Sequence, residues 1–204
     1  MEAEAIPGIE RGLSAVGELL AAEGVEVGIV VVGGVALNLL GIVKRTTTDV
    51  DVLAIVPSLT DTCEVALAPP DPLPEPLRRA IATVARDLQL PNDWMNTVVG
   101  LQWETGLPPG MGRRLHWRQF AGLRVGLADR YDLIFLKLYA AADSGGPASV
   151  HFQDLLALRP TERELLAAAA WLREQGPTPD FARILEQVIE HARENIPYGA
   201  PAPP

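Results

Sequence analysis

VGIVVVGGVALNLLGIVKRTTTDVDVLAIVP, which runs from Val27 to Pro57, is the stretch of sequence that decides the fold. Its two apolar runs, one before Gly33-Gly34 and one around the aspartates, are typical of buried strands. Because side chains alternate across a strand, Asp49 and Asp51 are expected on one face. Two carboxylates at that spacing repel each other, and a divalent cation between them removes the repulsion. The alternative is a strand end whose aspartates are only solvated.

The glycine pair favours an anion site next to these carboxylates. A Gly-Gly turn lets a phosphate approach the backbone closely, and amides at the start of a helix attract its charge. A dinucleotide-binding fingerprint fails here, because Val35 and Asn38 stand where glycines are needed, and no Gly-Lys-Ser/Thr loop is present. We therefore expect phosphate at Gly33 and Gly34, and a metal at Asp49 and Asp51 that bridges it.

Periodicity and turn residues predict the remaining organisation of the chain. The expected strands cover 27–32 and 50–56, which could pair in parallel or within a mixed sheet, and a hairpin over 115–120 and 123–127. The expected helices cover 9–22, 35–40, 77–88, 130–142, 150–158, 161–175 and 180–195, with a capped turn or short helix at 93–96.

The predicted fold class is α/β (α+β), with a mixed sheet and flanking helices over residues 1–128. A helical C-terminal domain follows over 129–196, and a disordered tail covers 197–204. Asp129 is expected to cap the first helix of that domain, and Thr161 with Glu164 forms a capping-box pattern. At 204 residues and 48% hydrophobic content, the chain can bury a real core.

Charge and composition exclude several classes of protein. A net charge of −9 argues against a broad nucleic-acid-binding surface. One local basic cluster remains, which a solvated hairpin explains equally well; it comprises Arg113, Arg114, His116 and Arg118. The single Cys63, the acidic N-terminus and the lack of a membrane-length apolar run predict a cytoplasmic protein with no membrane partner.

Lys137 is the second candidate for chemistry, since only two of the 17 cationic residues are lysines. Its helix is apolar almost all round, so its ammonium needs an anion, either a triphosphate or the Asp154 carboxylate. The alternative is a lysine that reaches water from the helix edge. Asp154 is expected to orient Lys137 or a substrate hydroxyl, or else to be a first-turn carboxylate that complements the helix dipole.

VVGGVALNLLGIVKRTTTDVDVLAI, residues 31–55, resembles the signature of the polymerase-β-like nucleotidyltransferase superfamily, a glycine pair at a helix start followed by D-x-D on the next strand. More narrowly, it is similar to AbiEii-like bacterial proteins, many of which act as toxins in toxin–antitoxin pairs, and to a small uncharacterised group related to them. That group reads G-G-x-A-L and then R-x-[ST]-x-D-[IV]-D. The matching positions are Gly33, Gly34, Ala36, Leu37, Arg45, Thr47, Asp49 and Asp51.

The resemblance continues towards the C-terminus. AbiEii-like proteins carry a lysine on a helix after the last core strand and an aspartate on the following helix, and Lys137 and Asp154 match that layout. Together the two regions cover about residues 27–175.

The resemblance implies metal-dependent transfer of a nucleotide monophosphate from an NTP to an RNA, protein or small-molecule acceptor, with an antitoxin as a further partner. Asp49 and Asp51 would hold Mg²⁺ or Mn²⁺, and they would be catalytic together with Lys137 and Asp154. The nucleotide-binding residues would be Gly33, Gly34, Arg45 and Thr47.

Three departures from the pattern favour an alternative. Val35 replaces a serine common in the superfamily, the strand over 123–127 lacks a third carboxylate, and the loop over 145–148 lacks a cation common in AbiEii-like proteins. The alternative is a catalytically degenerate binding module that serves as a toxin–antitoxin partner or a nucleotide sensor. If the enzyme reading holds, we expect the Lys137 nitrogen within roughly 10 Å of the nearer strand carboxylate, where attraction is not fully screened.

Overall fold

A computed structural model of the chain describes residues 7–47, 49–58 and 64–196. The chain divides into two compact units, the first ending at Ala128 and the second beginning at Asp129. Cys63 and the tail over 197–204 lie outside the described residues, so the expectations about them stay predictions.

In the part of the first unit that the structure describes, four helices are combined with five strands. The strands are β1 (Val27–Val32), β2 (Val50–Val56), β3 (Met95–Asn96), β4 (His116–Phe120) and β5 (Leu123–Leu127). The helices are α1 (Pro7–Ala22), α2 (Gly33–Leu39), α3 (Glu75–Asp87) and the single turn α4 (Gln102–Thr105). Short 3₁₀ turns cover Val98–Leu101 and Met111–Arg113. The class predicted from the sequence, a mixed α/β fold, is confirmed at this level.

All five strands form one mixed sheet in the order β3-β2-β1-β5-β4. The strand β1 lies at its centre, antiparallel to β2 and parallel to β5. The sequence left open whether β1 and β2 pair in parallel. The structure decides for antiparallel pairing, because α2 and the loop after it return the chain beside β1 in the opposite direction.

A bulge interrupts the ladder between β1 and β2. Val30 pairs with Ala54 and Val31 with Val52, so Leu53 is the extra residue on β2. A bulged residue is left out of the ladder and needs another partner. The carbonyl of Leu53 finds one in the indole of Trp103, whose Nε1 donates to it at 2.8 Å.

The main core of this unit lies between one face of the sheet and the helices α1 and α3. Alternate residues of β1 and β5 point into it, as expected for strands with one face on a core, and α1 contributes residues at helical spacing. Fully buried examples are Leu13, Val16, Ile29, Val31 and Val125.

The prediction of a capped turn or short helix over residues 93–96 is confirmed only for its first part, where the Trp94 amide donates to the Pro91 carbonyl at 3.1 Å and closes a turn. Met95 and Asn96 form a strand that pairs in parallel with Val50 and Asp51, and Trp94 is buried in the core at 1% exposure. Two residues are too short for a period to be recognised, and the preceding proline and polar residues favour a turn. The result matters because β3 covers the outer side of β2 where the aspartates stand.

The second unit is helical, with α5 (Arg130–Asp143), α6 (Val150–Leu158), α7 (Glu162–Glu174) and α8 (Pro179–Asn195). Both capping predictions are confirmed: Asp129 accepts from the Tyr131 amide, and Thr161 and Glu164 form a reciprocal capping box. Tyr131, Phe135 and Trp171 pack ring against ring between α5 and α7.

Among the described residues, no helix combines the length and the apolar character that crossing a membrane would require.

Candidate functional site

The glycine pair marks a place where side chains press closely on the backbone. Gly33 has φ +72°, a left-handed conformation that other residues rarely adopt, and a Cβ there would clash with Oδ2 of Asp51. A Cβ on Gly34 would lie 2.9 Å from Oγ1 of Thr47. The room that the glycines leave is therefore filled by the carboxylate of Asp51 and the hydroxyl of Thr47.

The register of the sheet explains how Asp51 reaches Gly33. Asp51 pairs with Val32, the last residue of β1, and on its other side with Asn96 of β3. It therefore stands on an interior strand and not at an open edge, and its side chain is half-buried. The alternative that Asp51 is only a solvated residue at a strand end is therefore wrong, because β2 is paired on both sides at this position.

Asp49 lies one residue before β2 begins, so it belongs to the loop that leads into the strand. It is half-buried, and its Oδ1 accepts a hydrogen bond from Oγ1 of Thr47 at 3.2 Å. Since the same hydroxyl lies against Gly34, Asp49 is tied to the start of α2 through Thr47.

Arg45 adds a cation to this cluster. Its guanidinium lies 3.6 Å from the position that a Cβ on Gly34 would occupy, and its side chain is half-buried. Five of the residues predicted for the nucleotide and metal site therefore lie close to Gly34, at the start of α2. They are Gly33, Arg45, Thr47, Asp49 and Asp51.

The cluster offers the oxygen ligands that a hard divalent cation prefers. They are the carboxylates of Asp49 and Asp51 and the hydroxyl of Thr47. In the part of the chain that the structure describes, no group of three or more His, Cys, Asp or Glu residues could hold a metal. A magnesium ion does not require one, because it commonly takes one or two carboxylates and completes its shell with phosphates and water. The residues fit a metal that arrives with a phosphate.

Lys137 and Asp154 lie in the helical unit and form a buried ion pair. The ammonium is 2.8 Å from Oδ2 of Asp154, and the side chains are 7% and 2% exposed. The alternative of a lysine reaching water is therefore wrong. The alternative of a first-turn carboxylate is wrong too, since Asp154 is the fifth residue of α6.

His151 lies beside this pair, with its Nδ1 3.5 Å from the Lys137 nitrogen. Asp132, in the first turn of α5, is fully buried. The sequence favours local structure for His151, with substrate contact as the alternative, and it indicates no particular role for Asp132. The signal that was available for Asp132 is a carboxylate placed directly before a run of apolar residues on a helix that is itself apolar.

Asn38 is a further residue that was not predicted to belong to the site, a 7% exposed amide within an otherwise apolar helix. A lone polar residue in the run VALNLL is the signal that could have revealed it.

The basic cluster does not lie wholly on the hairpin. His116 and Arg118 lie on β4, whereas Arg113 and Arg114 precede it. Arg113 pairs with Glu64, 49 positions away, at 2.6 Å, and Arg114 donates to the carbonyl of Pro109 at 2.7 Å. Both arginines therefore have structural partners.

A second ion pair in the helical unit, between Arg130 and Glu164, changes the pKa of the glutamate. Burial alone would raise the pKa of Glu164, but hydrogen bonds from Arg130 and Thr161 and the charge of Arg130 outweigh it and lower the pKa below 4.5. The Arg130 guanidinium donates twice to Glu164, at 2.8 and 3.1 Å.

No family model, no curated protein and no solved structure matches the chain. The relation to nucleotidyltransferases is therefore an interpretation of the residues themselves, and the functional assignments of the eight predicted residues stay predictions. So does the expected proximity of Lys137 to the strand carboxylates.

Proposed function

We propose that the protein is a metal-dependent nucleotidyltransferase that transfers a nucleotide monophosphate from an NTP to an acceptor. The acceptor classes that we propose are an RNA, a protein hydroxyl or a small molecule, within a toxin–antitoxin setting. One observation carries the proposal: Asp49, Asp51, Thr47 and Arg45, from a loop and a strand, converge on the same glycine pair.

The arrangement suits the charge of a nucleoside triphosphate bound with a cation. Asp49 and Asp51 would hold Mg²⁺ or Mn²⁺, which when bound neutralises phosphate charge and orients the phosphates. Arg45 would face a phosphate oxygen, since a guanidinium is always charged and presents several donors. In the transfer, the acceptor hydroxyl oxygen bonds to the α-phosphorus, pyrophosphate leaves, and the hydroxyl proton passes to solvent. Catalysis of this kind rests on positioning and fixed charges.

Lys137 and Asp154 have a narrower proposed role. Because the ammonium is already paired at 2.8 Å, it is no free point charge waiting for a triphosphate. The catalytic part that the resemblance implies for both residues stays a proposal, and within the pair Asp154 positions the Lys137 ammonium.

The decisive experiment uses each of the four NTPs labelled at the α-phosphate, with Mg²⁺ or Mn²⁺ and total RNA. Label should appear in RNA or in protein with the wild type and disappear with Asp49→Asn/Asp51→Asn. The control is Asp180→Asn, which removes a carboxylate that is 92% exposed and far along the chain in α8. Label transfer that survives in the double variant would refute the proposed site.

A second candidate is a nucleotide-binding module without transferase activity. Val35 has no hydroxyl to offer a phosphate, β5 carries no carboxylate, and the ammonium of Lys137 is already neutralised by Asp154. This candidate predicts that NTP with Mn²⁺ raises the melting temperature of the wild type while no label is transferred to any acceptor. Binding together with label transfer would exclude it.

A further inference from the structure

Asn38 joins helix α2 to the loop that follows it. Its Nδ2 donates to the carbonyl of Gly34 at 2.9 Å, one turn back in the helix, and to the carbonyl of Arg45 at 3.0 Å. Its Oδ1 accepts from the amide of Arg45 at 3.3 Å. A side-chain amide has two donors and an acceptor, so this one group satisfies three backbone atoms on two segments.

The loop that Asn38 holds is the one that carries the site. Backbone hydrogen bonds to Leu37 and Asn38 fix residues 41–43 at the end of α2. The Asn38 side chain extends this attachment to Arg45, two residues before Thr47 and four before Asp49. Residues 43–47 have no regular secondary structure, so their position depends on such contacts.

We infer that Asn38 is a positioning residue that holds loop residues 43–47 against Gly34, so that Arg45, Thr47 and the Asp49 bonded to Thr47 are in place before a ligand arrives. The inference rests on the proposed function, because it assigns Asn38 to the site for metal and nucleotide. A side chain held in its bound position loses less freedom on binding, and affinity rises accordingly. Asn38 itself does not contact the ligand.

The test compares Asn38→Leu with the wild type by two measurements. The first is hydrogen exchange at the Arg45 amide without ligand, and the second is the affinity for Mn²⁺ with an equimolar mixture of the four NTPs. Loss of the hydrogen bonds should speed exchange at Arg45 about tenfold and weaken ligand binding by about the same factor. Both changes should occur with the circular dichroism spectrum unchanged.

A second variant separates the helix contact from the loop contact. In Asn38→Ser the hydroxyl can bond the Gly34 carbonyl four residues back, as serine does within helices, but it is too short to reach Arg45. It should therefore behave like Asn38→Leu in both measurements, and it serves in place of that variant if Asn38→Leu does not fold. Wild-type behaviour in Asn38→Ser would overturn the inference.

Gln102→Leu is the matched control, since Gln102 is also a buried amide, 8% exposed, and donates to the Gly106 carbonyl at 3.1 Å. It should leave Arg45 exchange and ligand affinity unchanged, and equal effects in this control would overturn the inference. Faster exchange with unchanged affinity would also overturn it, because Asn38 would then hold the loop without contributing to ligand binding. If the wild type binds no Mn²⁺-NTP, the proposed function fails and the positioning role falls with it, whereas the exchange measurement still reports whether Asn38 holds the loop.

Discussion

The two units handle buried charge in opposite ways. In the sheet unit, two half-buried aspartates stand near each other beside glycines, and the structure gathers oxygen atoms there. In the helical unit, Lys137 and Asp154 neutralise each other within 2.8 Å and are almost fully buried. The cluster sets two carboxylates against the one guanidinium of Arg45, so its excess negative charge attracts a further cation, whereas a matched pair is complete by itself. The comparison therefore directs the search for a cation to the sheet unit, where we propose the metal site.

The largest expected effect concerns the matched pair. Lys137→Met leaves Asp154 buried without its cation, and we expect a loss of about 3–5 kcal/mol in the free energy of unfolding. Lys137→Met/Asp154→Leu should recover most of that loss. Lys44→Met, at the other lysine, is an exposed control that should change stability by less than about 0.5 kcal/mol. Urea denaturation measures all three, and equal costs at the two lysines would break the comparison.

A somewhat smaller effect is expected at the glycine pair. Gly33→Ala must place a Cβ against the Asp51 carboxylate in a left-handed conformation, and we expect a cost of about 3 kcal/mol. Gly24 has a similar φ, +69°, with nothing within 4 Å of an added Cβ. Gly24→Ala should therefore cost only about 1–2 kcal/mol. The difference between the two variants isolates the contact with Asp51, and a difference of zero would mean that Asp51 is not held against Gly33.

The next prediction concerns the sheet unit and tests whether its two aspartates bind a metal ion together with NTP. Mn²⁺ with NTP should stabilise the wild type by about 2.7 kcal/mol when the ligand is at one hundred times its dissociation constant. Asp49→Asn/Asp51→Asn should fold and lose this gain, whereas Asp180→Asn should keep it. Differential scanning fluorimetry is sufficient, and a wild-type gain in the double variant would move the cation elsewhere.

The smallest effect concerns Glu164, whose folded-state pKa is lowered. Its contribution to stability is fully present above about pH 4.5, its ordinary value, and is lost as the pH falls through the lowered pKa. Since the pair with Arg130 is partly solvated, we expect at most about 1 kcal/mol. Thermal melts of Glu164→Gln and the wild type should differ at pH 7 and converge at acid pH. Glu162→Gln, at an exposed position, should show no comparable convergence.

Local sequence was enough to locate the parts of the site. The glycine pair, the two aspartates and the apolar runs around them can all be recognised within thirty residues, and the spacing already requires a turn between two strands. The lysine was also within reach, because a cation on an apolar helix needs a partner, and Asp154 is that partner.

The sequence could not predict the tertiary contacts, because these depend on how the chain reverses and brings separate segments together. The antiparallel direction of β2, the two-residue strand β3 beside Asp51 and the bridge from Asn38 to Arg45 follow from chain reversal and not from any period. The occupant of the space at Gly33 and Gly34 could not be inferred either. Glycine predicts a close approach, and only the fold shows that Asp51 and Thr47 make it.

The bulge in β2 gives the strand that carries Asp51 an intrinsic optical reporter. The indole of Trp103 is bonded to the carbonyl of Leu53, two residues beyond Asp51. Indole emission shifts when the hydrogen bond or the polarity around the ring changes. A rearrangement of this strand on ligand binding would therefore be recorded as a change in fluorescence, with no label attached. Replacing the other three tryptophans, Trp94, Trp117 and Trp171, by phenylalanine would assign the fluorescence to Trp103 and its hydrogen bond with Leu53.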